Sequence, residues 1–426
     1  MGEELKIAKA ASVESNNMWK AAGKPRQGPI FEKRKRCRSV YRQLLRDEEK
    51  REKISYSNDL HEALLRKDGK MFWNSWQAKF ESPMPCSQVD GCVDDSVIIN
   101  KFVDHFRQSY SCNSKSRAEA LFEQFNRSRS AYVGDLLSVG HAVDTELVSK
   151  VVFDLHRGKA PDIVGLTAEH LQYCHPSILV LLTKLFQLII LSGSVPNGFN
   201  HSYIVPIPKV KDTRTKALTC NDFRGIAISP IISKVFEYCV IDRYKEFFGS
   251  ADNQFGFRKG LSCSHAVYST RCIVDSVIKN GNTANLCSID LSSAFDKVNH
   301  HGLFLKLMKR RIPIELLIVL ENWLSSCDAC VKWNKVWSNS FEVNFGVRQG
   351  SVLSPYLFNI YLDDVARLNN CYKRSFVIIY ADDILLISLT VSSLESLLRA
   401  CETELIFLDM SINVKKIVLY SYWSSL

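Results

Sequence analysis

The chain has 426 residues, 46% of them hydrophobic and 23% charged, which excludes a mainly disordered, collagenous or membrane-spanning protein and suggests about two to four structural units. Its 55 Lys+Arg against 45 Asp+Glu give a net charge of +10, compatible with a polyanionic partner. The 14 cysteines are scattered, and the opening MGEELKIAKAAS has no apolar signal segment, so they read as reduced thiols of an intracellular protein.

Phe31 to Ser55 (FEKRKRCRSVYRQLLRDEEKREKIS) is a dense charged run predicted to form a solvated helix. Its cluster Lys33, Arg34, Lys35 and Arg36 is a candidate for nucleic-acid contact or nuclear targeting, with an exposed helical face as the alternative. Residues 1–57 are taken as this basic segment. Residues 58–150 are taken as a helical connector, from patterns such as HEALLRKDGKMFWNSWQAKF and a polar break near Cys112 to Arg117. From about Val152 short β-like runs alternate with amphipathic helices, the mark of an α+β catalytic region. Ile178 to Leu191, interrupted by Thr183, Lys184 and Gln187, is shorter than the roughly 20 residues of a membrane span and is predicted as a buried helix. Tyr203 to Pro208 is a short extended segment and Lys211 to Asp222 a loop. The adjacent His300 and His301 have no partner at metal spacing and read as a surface turn. Cys327 and Cys330 lack a second Cys/His pair, so no zinc site is claimed. Phe341 to Val347 alternates as a strand. Ser354 is expected as the N-cap and Pro355 as the first residue of a helix, with Leu357, Phe358, Tyr361, Leu362 and Val365 on its apolar face. Asp363 and Asp364, near the end of that helix, are assigned to a solvated face.

The most informative segment is Phe376 to Ser388 (FVIIYADDILLIS), read as strand, tight turn, strand. Asp382 and Asp383, adjacent between apolar runs, repel each other and are costly to desolvate unless a cation compensates them; the alternative is an exposed hairpin tip. A second apolar run, LCSIDL, ends near Asp290. Ser293 and Asp296 have capping-box spacing, so Asp296 is expected at a helix terminus, whereas Asp290 has no such structural explanation. Strand side chains alternate between faces, which favours Asp382 as the partner of Asp290. Two Mg²⁺ ions about 3.5–4 Å apart, bridged by such carboxylates, serve in-line phosphoryl transfer.

Five blocks in order resemble the reverse transcriptases of non-LTR, LINE-type retrotransposons: NDFRGIAISPIISKVFE (Asn221 to Glu237), NQFGFRKG (Asn253 to Gly260), SIDLSSAFDKV (Ser288 to Val298), VRQGSVLSPYLFNIYL (Val347 to Leu362) and YADD (Tyr380 to Asp383). The similarity runs from about Leu155 to Lys416. It implies a right-hand polymerase, with fingers in 151–285 and palm in 286–426, that extends a DNA primer on an RNA template with dNTPs. The implied palm carboxylates are Asp290, Asp382 and Asp383, holding two Mg²⁺, with Mn²⁺ as a substitute. Phe295 matches the aromatic gate against a ribonucleotide 2′-OH, and Lys209 and Arg224 match basic fingers positions on the triphosphate. Gln349 and Gly350 match the loop at the incoming nucleotide and template. Asn413 and Lys416 resemble the last palm motif, with Lys416 as proton donor to pyrophosphate. Where the family has a Pro-Gly-x-Asp-Gly-like loop, the chain reads Ala160, Pro161, Asp162, Ile163, Val164, Gly165. The sequence shows no endonuclease domain before the charged segment and about ten residues after Lys416, so the expectation is a chain without endonuclease or complete thumb, distributive in action. Nucleus and cytoplasm are the expected locations and no membrane partner is expected. The alternative function is a catalytically idle, nucleic-acid-binding remnant.

Overall fold

Gly28, followed by Pro29 at the first helical position, separates α1 (Glu3–Ala21) from α2 (Pro29–Leu65), and proline is tolerated there because that N–H needs no helical partner. In this computed structural model, which describes residues 3–80, 88–138, 140, 142–209, 218–369 and 374–423, α1 and α2 pack on each other. The Arg34 guanidinium lies 3.7 Å from the Trp19 ring centroid and donates to Asn16 Oδ1 at 2.9 Å. With α3 (Gly69–Phe80) these helices form one compact unit, Met1–Cys86; Ser87–Leu426 forms the other. The boundary expected at 57/58 falls inside α2, which continues through it unbroken.

The second unit begins with α4 (Asp95–Ser109) and α5 (Lys115–Ser130), N-capped by Asp94 and Ser114. Phe102 and Phe106 of α4 are buried. Two short helices, α6 (Thr145–Asp154) and α7 (Ala168–Gln172), lead to α8 (Pro176–Ser192), which His175 caps and a left-handed Gly193 ends. The expectation of a buried helix at 178–191 holds for one face only. Leu182, Phe186 and Ile189 are buried, while Leu181, Leu188 and Leu191 are exposed, because α8 packs on α6 and α12 along one side.

A five-stranded sheet follows, built from β1 (His201–Pro208), β2 (Phe223–Ile228) and, after a strand of the second sheet described next, β4 (Asp328–Trp333), β5 (Val336–Trp337) and β6 (Phe341–Glu342). β1 pairs antiparallel with β2 along its length and parallel with β4 only through Ile204. Pro206 and Pro208, which have no N–H for a ladder, lie beyond that parallel pairing. Of the predicted loop at Lys211 to Asp222, residues 210–217 lie outside the described residues. The helix α9 (Ile231–Arg243) leads through Asn253 to Gly260 into α10 (Cys263–Lys279).

The central sheet is antiparallel, in the order β7 (Ser375–Tyr380), β8 (Asp383–Ser388), β3 (Ala284–Asp290), β9 (Val418–Tyr422). Ile289, Ile384, Leu386 and Ile387 are at most 1% exposed, and full burial of each such side chain contributes about 1.5–3 kcal/mol. Leu286, Ile378 and Ile387 pack against Ala266 and Val277 of α10, and α15 (Val391–Phe407) packs on β8 and β3. The helices α11 (His300–Lys309), α12 (Ile314–Ser325), α13 (Ser354–Tyr361) and α14 (Asp363–Ala366) complete the unit.

Several local expectations are corrected here. Only Phe341–Glu342 of the alternating run 341–347 is a strand, because the backbone then turns to bond the segment after β3, Gly346 N–H to Val298 O at 2.7 Å and Val347 N–H to Phe295 O at 2.8 Å. Ser354 is not the N-cap of α13: Leu353 holds that place, and the buried Glu237 carboxylate accepts from the N–H groups of Val352 and Leu353. His300 is not in a surface turn; it is the buried first residue of α11, bonded through Nε2 to Gly346 O at 2.7 Å, and burial pushes its pKa down to about 4. Asp363 is 6% exposed and paired with Arg310 at 3.0 Å and Arg367 at 2.9 Å, and Asp364 is bonded to the buried Lys306. The pair is a structural ion-pair node rather than a solvated face. Among the described residues no helix is long and apolar enough to cross a membrane.

Candidate active site

The β7–β8 hairpin turns over two residues, Ala381 at φ 58° and Asp382, before β8 begins at Asp383. In the ladder Asp383 is paired with Tyr380 on one side and Asp290 on the other. Directly opposed residues of an antiparallel pair share a face, so strand register sets Asp383 beside Asp290. Asp382 belongs to the turn and is freed from strand alternation, which is why the parity expectation does not decide between the two. Desolvation raises the pKa of both carboxyls. The Asp290 charge adds to the rise at Asp382, and the Asp382 and Asp290 charges add to it at Asp383.

Asp290 is engaged from the chain's last described segment. Its Oδ2 accepts from Lys416 Nζ at 2.9 Å and Asn413 Nδ2 at 3.2 Å, and its carbonyl accepts from the Asn413 N–H at 2.9 Å. Opposite the acids stands a group of cations. Lys209, at the end of β1, donates to Asn221 O at 2.7 Å; Arg224 is exposed on β2. Desolvation lowers the Lys209 pKa, and the Arg224 and Lys416 charges lower it further, while Arg224 and Lys416 both act on Asp382. Arg224 and Lys416 therefore act on Asp382, Lys416 also on Asp383, and Lys209 stands in the field of Arg224, Lys416, Asp222 and Asp296.

Carboxylate oxygens are the donors that hard divalent cations take. Like charges pressed together and partly desolvated are the condition such an ion relieves. Among the described residues no three His, Cys, Asp or Glu groups form a ready-made cluster, and Lys416 and Asn413 are bonded to the Asp290 carboxylate. The donor chemistry fits Mg²⁺ or Mn²⁺, with Lys416 as the group that must yield.

Phe295 lies in a short 3-10 helix (Ala294–Lys297) after β3. Its ring stacks on Phe358 with centroids 4.3 Å apart and meets Phe257 edge-on at 5.6 Å. The expected capping box at Ser293 and Asp296 does not form. Ser293 takes a left-handed conformation without a side-chain cap, and Asp296 instead accepts from Gln349 Nε2 at 2.9 Å. Desolvation raises Asp296 to about 6, against the bond from Gln349 and the charges of Lys297 and Lys209. Gln349 O accepts from the Ala227 N–H at 2.7 Å. Gly350 is at φ 125°, and a Cβ there would lie 2.3 Å from Ala227 O, so only glycine lets this loop approach β2. The loop is anchored by Glu237, 1% exposed, whose Oε2 accepts from Ser351 Oγ at 2.6 Å and the Leu353 N–H at 2.8 Å.

The structure thus gathers Asp290, Asp382, Asp383, Arg224 and Lys416, sets Lys209 in the field of Arg224 and Lys416, and links the Phe295 segment to that of Gln349 through the Val347 N–H and Asp296. Lys33, Arg34, Lys35 and Arg36 lie on α2 of the first unit. Lys33, Lys35 and Arg36 are exposed, while Arg34 is spent on Trp19 and Asn16. Sequence reasoning gave no role to Glu237, which ends the block NDFRGIAISPIISKVFE, or to Gln254, in NQFGFRKG. The only available signal was a polar residue among apolar neighbours. Asp162, in the loop that departs from the family pattern, is buried and accepts from the Leu166 N–H at 2.8 Å and the Ile231 N–H at 3.0 Å, tying the loop to the start of α9.

A family model described as "Reverse transcriptase (RNA-dependent DNA polymerase)" matches residues 207–424, about half the chain and the whole of the central sheet. The chain is 28% identical over 246 residues to the "Probable RNA-directed DNA polymerase from transposon X-element" of Drosophila melanogaster, covering 56% of this chain and 26% of that protein. It is 24% identical over 292 residues to the "Retrovirus-related Pol polyprotein from type-1 retrotransposable element R2" of Nasonia vitripennis, covering 65% and 27%. The matched part therefore spans about a quarter of the length of these relatives. A solved structure of telomerase from Candida tropicalis aligns with 59% of this chain and 56% of its own, at 14% identity and a TM-score of 0.39. The chain, of mixed helix and sheet with the paired acids in a hairpin of the central sheet, belongs to the reverse transcriptase family, among relatives from non-LTR retrotransposons.

Proposed function

We propose that the chain is an RNA-directed DNA polymerase that adds dNTPs to a primer 3′-OH paired to an RNA template. The observation that carries this reading is the placement of Asp290, Asp382 and Asp383 on adjoining strands and their turn, with Lys416 bonded to Asp290 and Arg224 acting on Asp382. Two Mg²⁺ held by the three aspartates would supply charge neutralisation and a more acidic 3′-OH. Lys209 and Arg224 bind the triphosphate, where charge-assisted bonds are strongest. Lys416, bonded to Asp290 at 2.9 Å, would donate a proton to the departing pyrophosphate. In the reaction the 3′-oxygen bonds the α-phosphorus and the bond to the β-phosphate bridging oxygen breaks. Phe295, fixed against Phe358 and Phe257, closes the space a 2′-OH needs, and the Gln349–Gly350 backbone lies beside the nucleotide. Fingers within 151–285 and palm within 286–426 follow from this assignment. The exposed Lys33, Lys35 and Arg36 suit contact with nucleic acid or nuclear entry, consistent with action in nucleus and cytoplasm.

The test is primer extension on poly(rA)/oligo(dT) with Mg²⁺ and dTTP. Asp290→Asn and Asp382→Asn abolish incorporation and leave RNA affinity within about twofold, because the aspartates hold metal and the basic groups hold phosphate. Asp104→Asn, on the exposed face of α4, retains parental activity. Asp363→Asn is unsuited as a control because its buried carboxylate pairs with Arg310 and Arg367. Incorporation that survives both active-site substitutions overturns the assignment. A parent that binds RNA but never incorporates dTTP supports the idle, nucleic-acid-binding reading instead.

A further inference from the structure

Gln254 is 2% exposed, and its side-chain amide is committed to one stretch of backbone. Oε1 accepts from the Ala381 N–H at 3.1 Å and the Gly256 N–H at 2.8 Å, and Nε2 donates to the Ala381 carbonyl at 3.3 Å. The amide thus brackets Ala381 on both sides, immediately before Asp382. Ala381 is at φ 58°, a left-handed conformation that costs a non-glycine residue roughly 1–2 kcal/mol. Something other than local preference must hold the turn. Gly256 provides the backing surface, since a Cβ there would lie 2.2 Å from the Ala381 nitrogen.

The segment carrying Gln254 is itself fixed. It pairs with β7 through Phe255 N–H to Ile379 O at 2.8 Å and Ile379 N–H to Asn253 O at 2.9 Å. Asn253 Nδ2 donates to Ala366 O and Val377 O, both at 2.8 Å, and Asn359 Nδ2 donates to Gly256 O at 3.1 Å. The turn is thereby referenced to α13, the helix whose Phe358 carries the Phe295 ring. A buried glutamine that only filled the core would spread its bonds elsewhere. This one spends two of its three on the peptide groups of the residue that aims Asp382, and the third on the glycine behind it.

We propose that Gln254 is a positioning residue that presets the Asp382–Asp383 turn for divalent-cation binding, an inference that rests on the polymerase reading of those carboxylates. It touches neither nucleotide nor metal. Its loss leaves the β7–β8 ladder intact but lets the turn relax, so the two carboxylates no longer converge with Asp290.

The test uses the full chain and two readouts: Mn²⁺ binding by electron paramagnetic resonance titration, and the Mg²⁺ concentration for half-maximal primer extension. Gln254→Met keeps the volume and removes the amide. Both readouts weaken about tenfold or more, the usual effect of removing a group that orients a metal ligand, and RNA affinity is unchanged. Gln254→Glu keeps the acceptor and loses the donor to the Ala381 carbonyl; it weakens binding in the same direction and carries the measurement if Gln254→Met does not fold. Leu397→Ala, in the buried face of α15, serves as a generally destabilised control and leaves Mn²⁺ binding at the parental value. Parental Mn²⁺ binding in a folded Gln254 variant overturns the proposal, as does equal weakening in Leu397→Ala. A parent that binds Mn²⁺, loses it with Gln254, and still incorporates no dNTP leaves the positioning role standing and refutes the polymerase reading. A parent that binds no Mn²⁺ refutes both.

Discussion

Phe295 owes its fixed orientation to two other rings, stacked on Phe358 and edge-on to Phe257, so truncation at this position opens space without freeing the backbone around it. Phe295→Val should lower discrimination against rNTPs by about tenfold or more, the scale on which shape selection by apolar contacts operates. Single-nucleotide incorporation of dTTP and UTP measures it, and unchanged exclusion of UTP removes the gate assignment. Asp296 offers a pH-dependent test beside it. Its folded pKa, about 6, stands above the ordinary aspartate value, so the native state binds the proton more tightly than the unfolded chain. Stability associated with this group is complete below about pH 4 and is lost as pH rises through about 6, on the order of 2–3 kcal/mol. Asp296→Asn keeps an acceptor for Gln349 and removes the charge. The variant should therefore be more stable than the parent at pH 7.5 and equal to it at pH 4, as read by urea unfolding. A less stable variant at pH 7.5 would mean that Lys297 and Lys209 outweigh desolvation.

Among the elements, the loop from Arg348 to Leu353 depends most on a distant residue. Glu237, on α9, satisfies the hydroxyl of Ser351 and two N–H groups at the start of α13, doing across space what a capping side chain does locally. Glu237→Ala strands those donors in a buried setting, where each unsatisfied group costs about 1–3 kcal/mol. The expected outcome is a loss of about 3 kcal/mol or more in urea unfolding, together with a raised KM for dNTP because Gln349 and Gly350 lose their anchor. Parental stability would show that water replaces the carboxylate. The same dependence explains why the element boundaries near this loop were not legible. Alternation placed Phe341 to Val347 in one strand, yet it cannot reveal that the Gly346 and Val347 N–H groups bond the segment after β3 instead of a neighbouring strand.

For the whole molecule, most of the net charge of +10 lies in the first unit, and Lys33, Lys35 and Arg36 are exposed on α2 while Arg34 is not free. If the three exposed cations contact RNA phosphates, replacing all three with alanine should reduce the slope of log Kd against log salt by about 2, at roughly 0.7 per released counterion on a single strand. Arg34→Ala should change the slope little and instead loosen the α1–α2 pair by about 0.5–1 kcal/mol through the lost stacking on Trp19. An unchanged slope in the triple variant would assign these charges to solvation or targeting.

The amino-acid sequence by itself determined the strand that ends at Asp290 and the strand–turn–strand around Asp382 and Asp383, because apolar β-favouring runs interrupted by acids leave few other solutions, and the order of five blocks pointed to the family. It also marked Phe31 to Ser55 as a charged helix, the middle of α2, without showing that the helix continues to Leu65. Which acid stands beside Asp290 was decided by ladder register, a pairing between segments about 90 residues apart that strand parity cannot supply for a residue inside a turn. Burial of His300, the ion pairs of Asp363 and the bond from Gln349 to Asp296 were also tertiary decisions. In each case a polar side chain was taken for a surface or capping group on local grounds. Its partner lay on another element, and the cost of burying it unpaired is visible only once that partner is in place.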